Sequence, residues 1–246
     1  APYLSDSIIG AEYCGNEGMV NPILATPELA HSAEKAGIQI LRKTELLGLE
    51  RVGKSFLAQT SQGTIDCHRV VNAAGAWADS VGNMLGVHIP IRRYPRHMNV
   101  TEASPPIFKP LLQHADRLLT LKQAANGTII VGGGWPSTSN QNSTYHSVQR
   151  SSIEGNLSVA QLVVPSIGSL ALTRTWPGVI SLTPDGHGIL GEPPNVEGFY
   201  NAIPPNSGYT GAPLCGQLLA ELIIGKQTSL DISGLALDRF STTPLQ

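Results

Sequence analysis

The chain has 246 residues, 41% of them hydrophobic and 14% charged, with a mean hydropathy of +0.00 and a formal net charge of -2. That charge excludes the basic balance of a nucleic-acid binder, and no apolar run approaches the roughly 18 residues of a membrane-spanning helix. Cys14, Cys67 and Cys215 are widely spaced, which fits free thiols in a reducing, cytoplasmic compartment and matches no metal-ligand spacing.

Ala1–Gly10 reads as a polar, strand-like segment and Gly18–Pro22 as a turn. Thr26-Pro27-Glu28 then opens a helix, with Thr26 as N-cap, Pro27 at the first helical position and Leu29, Ala30, Ala33 and Ala36 on its apolar face. Gly37 stops it, and Ile38–Ile40 is a short strand. Leu46–Arg51 and Ser55–Thr60 pair as a hairpin across Val52-Gly53-Lys54, and Thr64–Val71 is the strand that follows. It runs into Asn72-Ala73-Ala74-Gly75-Ala76-Trp77, a small-residue turn, and helix-forming residues continue from Trp77 to Leu85. Such a corner frees amide groups at a helix start, where an anion can sit, but an ordinary strand-to-helix corner reads the same way.

From His88 the pattern changes. Alternation in Met98–Thr101, Leu118–Lys122 and Thr128–Val131 predicts a mostly antiparallel sheet. The run Arg92, Arg93, Arg96 reads as a solvated strand edge, and Ser137–Ser147 as an exposed polar loop. The Asn-x-Ser/Thr matches at Asn126, Asn142 and Asn156 read as chance. Ser152–Val164 has helical spacing, Leu170–Trp176 is a strand, and Thr183-Pro184-Asp185-Gly186 fits a type I turn. Phe199–Ile203 is a short apolar strand that leads through Asn206-Ser207-Gly208-Tyr209-Thr210-Gly211 into a helix with Leu214, Leu218, Leu219, Leu222 and Ile223 at helical spacing.

Three of these segments, Val70–Trp77, Thr183–Gly191 and Ser207–Pro213, resemble in order and spacing the FAD-dependent amine and amino-acid oxidoreductases, the family of D-amino-acid oxidase, glycine oxidase and sarcosine oxidase. Val100-Thr101-Glu102, Leu121–Gly127 and Val131–Trp135 are similar to the flavin-bearing beta-type subunits of its heteromeric members. The resemblance implies a mixed α/β fold in which a FAD-binding, Rossmann-like domain (23–87 and 176–246) is interleaved with an antiparallel-sheet substrate domain (1–22 and 88–175). It implies FAD as cofactor, a small amino-acid or amine substrate, and other subunits as partners. Hydride would pass to flavin from the substrate carbon beside nitrogen, so no protein nucleophile is required. These flavoproteins open with Gly-x-Gly-x-x-Gly between a strand and a helix. That motif is absent from the 246 residues, so the chain reads as the latter part of a family member. A non-catalytic scaffold that does not bind FAD by itself is the alternative.

By resemblance, Ala74, Gly75 and Trp77 line the ADP side of FAD, and Leu46 stands where a backbone meets adenine, though Leu46 alone reads as a core residue. Asp185, Gly186, Gly208, Tyr209 and Thr210 lie near the flavin ring and ribityl chain. Many amino-acid oxidases of the family it resembles carry a carboxylate-binding arginine on the strand after Trp-x-Gly, where this chain has Ile180. Arg174, Lys122 and His97 are candidate substitutes, and each also reads as bland: a strand-edge ion pair, a solvated side chain and a satisfied sheet histidine. His187 follows the Asp185-Gly186 turn, and Gly188 stands where relatives often have proline.

Overall fold

The computed structural model describes residues 1–138, 146–204 and 208–241. The middle of the expected polar loop, the match at Asn142, and Asn206 and Ser207 lie outside the described residues. The elements run α1 (Pro22–Lys35), β1 (Leu46–Val52), β2 (Ser55–Thr60), β3 (Gly63–Cys67), β4 (Val70–Asn72), α2 (Ala78–Met84), β5 (Arg92–Ala103), β6 (Leu112–Gln113), β7 (Thr120–Gln123), β8 (Thr128–Gly132), α3 (Arg150–Val163), β9 (Leu172–Leu182), β10 (Ile189–Gly191), β11 (Phe199–Ile203) and α4 (Gly208–Ile223). Internal contacts divide them into two compact units, Ala1–Ile40 with Pro95–Val179, and Leu41–Tyr94 with the residues from Ile180 onward. Two of the three divisions fall inside β5 and β9, and the third lies between α1 and β1.

The first unit is built on a five-stranded sheet in the order β6-β7-β8-β5-β9. Alternation along β5 puts Pro95, His97, Asn99 and Thr101 on a buried face and Arg96, Met98 and Val100 on the other. Helix α3 covers the buried face: Asn99 Nδ2 donates to Asn156 Oδ1 (3.0 Å), and Asn156 Nδ2 donates to the Gly132 carbonyl (2.9 Å). Beside this polar seam Leu119, Leu121, Ile129 and Val131 pack on Ala160, Val163 and Val164. Asn156 is wholly buried, so its glycosylation match is chance.

The second unit holds two three-stranded sheets. In the meander β1-β2-β3, Gly53 (φ +63°) makes the first turn. In the sheet β10-β11-β4, β10 pairs antiparallel with β11 and β11 pairs parallel with β4. Leu49, Phe56, Ala78, Ile89, Ile189, Phe199 and Ile203 form its core. On the other side of β11, Tyr200 packs with Leu218 and Leu219 of α4.

Several local expectations need correction. The first helix starts at Pro22, not Pro27, because Asn21 Oδ1 accepts from Ile23 N (3.1 Å) and Pro22 already fills the first turn; Pro27 lies inside the helix. Its expected apolar face is unpacked among the described residues, with Leu29 72% exposed. Ala1–Gly10 forms turns and Ile38–Ile40 no strand. The expected Thr64–Val71 strand is two strands in different sheets, separated at His68 and Arg69. The helix after the small-residue turn begins with a 3-10 turn at Gly75–Trp77.

His97 is 1% exposed. Its ring nitrogens lie near the Trp135 and Pro136 carbonyls without a well-formed hydrogen bond, and burial outweighs those carbonyls to push the imidazole pKa down. The unfolded chain therefore takes up a proton at His97 before the folded one does, and stability is lost as pH falls through about 6.5. His97→Gln should flatten the stability-pH slope between about pH 7 and pH 5, whatever its effect on absolute stability. Urea unfolding across that range is the check, and an unchanged slope would mean His97 is not the titrating group.

Candidate functional site

The register of the small sheet sets the geometry. Asn72 aligns with Asn201 in the parallel pair, and Ile189 aligns with Ile203 in the antiparallel one. The segment after β4 (from Ala73), the segment after β11 (toward Gly208) and the segment before β10 (183–188) thus all lie at one edge of the sheet. It is the carboxyl edge of the parallel strands, where ligands of open α/β sheets bind.

The small-residue turn is braced from two sides. Asn72 Nδ2 donates to the Ala78 carbonyl (2.9 Å) and to Asn201 Oδ1 (3.3 Å), while its Oδ1 accepts from Ala74 N (3.3 Å). Arg93 Nε donates to the Ala76 carbonyl (2.8 Å), and its Nη2 pairs with Asp79 (2.7 Å). Arg93 is therefore a brace, which corrects the reading of its run as a merely solvated edge. Gly75 has φ +55°, and a Cβ there would meet no atom within 4 Å, so one side of the turn is open to a ligand. Trp77 and Tyr209 are each 49% exposed. Gly208, Tyr209 and Thr210 form the first turn of α4, a 16-residue helix.

The turn before β10 is organised differently. Gly186 N donates to the Thr183 carbonyl (3.2 Å), as a type I turn requires. Arg239 grips this turn: Nε and Nη2 donate to Asp185 (2.8 and 3.3 Å), and Nη2 also reaches the carbonyls of His187 (3.2 Å) and Gly188 (2.9 Å). The Asp185 carboxylate is thus already engaged within the protein. A cavity of about 1050 Å³ lies beside it, lined by Val87, Pro184, Pro193, Arg239 and Phe240 among others. Of the nine cofactor candidates only Asp185 lines it, so it is not where those residues meet. Leu46 stands in the other sheet, at the start of β1, and His187 is a 72% exposed turn residue.

The substrate candidates are split. His97 faces α3 and is buried. Lys122 pairs in register with Ile130, and Ile130 with Val100, so Lys122 lies on the opposite, open face. Thr175 Oγ1 donates to Asn99 Oδ1 (3.0 Å) on the α3 side, which by alternation puts Arg174 and Trp176 on the open face as well. The Arg174 guanidinium lies over the Trp176 ring, 5.4 Å from its centroid. Ile180 is half-buried further along β9. Among the described residues no cluster of His, Cys, Asp or Glu could hold a metal ion, and no helix is long and apolar enough to cross a membrane.

Sequence reading missed Asn201, Arg93 and Arg239. A lone asparagine closing the apolar run Val70-Val71 was a usable signal for Asn72; nothing in the sequence connects Arg239 with Asp185. The Arg239 guanidinium, with the other hydrogen bonds to the carboxylate, holds the Asp185 pKa down at about 2. The stability this confers is present above the unfolded value of about 3.9 and is lost as pH falls through the folded one. Arg239→Gln should be less stable than the parent at pH 7, and the gap should narrow below about pH 4. Urea unfolding of both proteins from neutral to acid pH tests this; a gap constant with pH would show that the ion pair contributes nothing.

Comparison with known proteins accords with this geometry. A family model described as FAD dependent oxidoreductase matches residues 1–222. The chain is 29% identical to hydrogen cyanide synthase subunit HcnC of Pseudomonas aeruginosa, across 99% of this chain and 58% of that protein. It superposes on glycine oxidase from Geobacillus kaustophilus with a TM-score of 0.78 at 25% identity, covering 87% of this chain and 56% of that one. For L-proline dehydrogenase from P. horikoshii the values are 0.80 and 25%, covering 92% and 61%. The chain thus spans less than two thirds of each relative. With nine tenths of its length matched by the family model and its three motif segments at one sheet edge, the chain belongs to the FAD dependent oxidoreductase family.

Proposed function

We propose that this chain works within a FAD-dependent oxidoreductase that oxidises the CH–NH bond of a small amino acid, N-methyl amino acid, imino acid or opine. The observation that carries the reading is the convergence of Ala73–Trp77, Gly208–Thr210 and Thr183–Gly188 at the carboxyl edge of β4 and β11. The unit containing these segments takes the cofactor role, and the unit built on the five-stranded sheet takes the substrate role. That HcnC is a subunit supports assembly with other chains.

Bound flavin supplies the electron sink for hydride from the carbon beside the substrate nitrogen. The chain's own residues do the holding. Ala74 and Gly75 admit a cofactor close to the backbone because no side chain stands in the way, and Asn72 and Arg93 keep that backbone in place. The start of α4 offers amides and the positive end of a helix dipole at Gly208, Tyr209 and Thr210. Asp185 and Gly186 serve by shaping their turn, since the carboxylate is held by Arg239. Leu46 contributes at most its backbone. Ile180 supplies no carboxylate clamp, which leaves Lys122 and Arg174, with Arg96 on the same face, as the cations of the substrate face.

Gly75→Val should weaken FAD binding at least about tenfold, and His187→Ala by less than about twofold, because a branched side chain at φ +55° both strains the turn and fills its open side. Titration of FAD, followed by the visible band of the flavin, measures both. The opposite ranking would remove the turn from the cofactor site. Absence of saturable binding in a chain extended to carry a dinucleotide-binding opening would overturn the oxidoreductase reading itself.

A further inference from the structure

We infer that Arg239 is a positioning residue of the candidate cofactor site: by cancelling the Asp185 charge and fixing the backbone at 183–188, it sets the reduction potential of the flavin held there. The inference rests on the oxidoreductase reading and deepens it. Ile189 aligns with Ile203, so the turn 183–188 stands at the same sheet edge as Ala73 and Gly208. That turn is loose by composition. Gly186 (φ +75°) and Gly188 flank His187, and neither carries a side chain that could anchor it. What holds the turn is a residue 51 to 54 positions later. Arg239 donates to both oxygens of Asp185 (2.8 and 3.3 Å) and to the carbonyls of His187 (3.2 Å) and Gly188 (2.9 Å). Thr183 Oγ1 also donates to the His187 carbonyl (2.7 Å), and His187 N donates to Asp185 Oδ1 (3.0 Å).

The arginine is itself held in place by the protein. Leu237 and Phe240, in the short 3-10 helix Leu237–Phe240, pack on the core of the second unit. The guanidinium lies over the Phe240 ring, 4.2 Å from its centroid, and Nη1 donates to the Ala236 carbonyl (2.9 Å). With 17% of the Arg239 side chain and 36% of the Asp185 side chain exposed, water screens the pair only in part. Hydride transfer brings one negative charge onto a flavin ring, so the potential there depends on the net charge of the turn beside it. Paired, Asp185 and Arg239 add none. Arg239 without Asp185 would favour the reduced ring, and Asp185 without Arg239 would disfavour it. A purely structural brace behaves otherwise, because losing either partner loosens the turn in the same way. The cavity beside the pair also holds His88 and Asp238, which are unchanged in every variant compared below and so offset no difference between them.

The test is potentiometric titration of bound FAD at about pH 8, above the ordinary imidazole range, in a chain extended to carry a dinucleotide-binding opening. Arg239→Gln should lower the potential and Asp185→Asn should raise it, each by about 30 mV, a tenfold change in the two-electron equilibrium. The double variant is neutral again but lacks the grip, so it should return close to the parent potential while binding FAD several-fold more weakly. Arg239→Lys keeps the charge and loses the fork; it should hold the potential and weaken the affinity, and with Asp185→Asn it decides the matter should Arg239→Gln fail to fold. Shifts of the same sign in the two single variants, a shift below about threefold in either, or a double variant that stays displaced would overturn the inference. The 246-residue chain without cofactor gives a second readout. There Arg239→Gln should speed amide exchange at Gly186 and His187 at least about tenfold, and unchanged exchange would overturn the grip. No saturable FAD binding by the parent would sink the oxidoreductase reading and this inference with it. A parent that binds FAD, with potentials unmoved in the variants, would sink this inference alone.

Discussion

The parallel pairing of Val70–Asn72 with Phe199–Asn201 is the constraint on which the candidate cofactor site depends. It joins residues 129 apart in the chain through the Asn72–Asn201 amide contact. Closing so long a loop is costly in chain entropy, and the return comes from packing Phe199 and Ile203 on one face and Tyr200 on the other. Once the register is fixed, the three motif segments have only one place to go. Asn72 then ties the strand end to the turn that follows it, so pairing and turn geometry are set by the same side chain.

The five-stranded sheet works by a division of faces. Its covered face carries an unusual number of polar groups for a core, but Asn99, Asn156 and Thr175 satisfy one another and the Gly132 carbonyl. A buried network of this kind fixes the docking of α3 because a slipped helix would leave amides unpaired. His97 ends the row without such a partner, at a cost that grows in acid. The other face is left to side chains of mixed character, with Arg96, Lys122 and Arg174 beside Met98, Val100 and Ile130.

Much of this was legible in the sequence where local rules dominate. The hairpin at Gly53, the strand Phe199–Ile203 and a helix over most of Ser152–Val164 follow from turn chemistry and periodicity, and the structure bears them out. The order of the motif segments carried the family, which the matched model shows. Failures came where a local signal had a competitor. Asn21-Pro22 is as good a helix start as Thr26-Pro27, and propensity could not rank them. Thr64–Val71 is uniformly strand-like, and only the pairing partners divide it. The braces Arg93 and Arg239 were illegible because their partners are 14 and 54 residues distant. The opposed orientations of His97 and Lys122 needed the register across β5, β8 and β7, which composition does not contain.

The central claim is that the carboxyl edge of β4 and β11 faces the cofactor, and amide hydrogen exchange with and without FAD tests it most directly. The account predicts that FAD slows exchange at Ala74, Gly75 and Trp77 and at Gly208, Tyr209 and Thr210, and leaves the hairpin turn at Gly53 unchanged. Protection confined to the cavity beside Arg239 and Phe240, with those six amides unaffected, would contradict it.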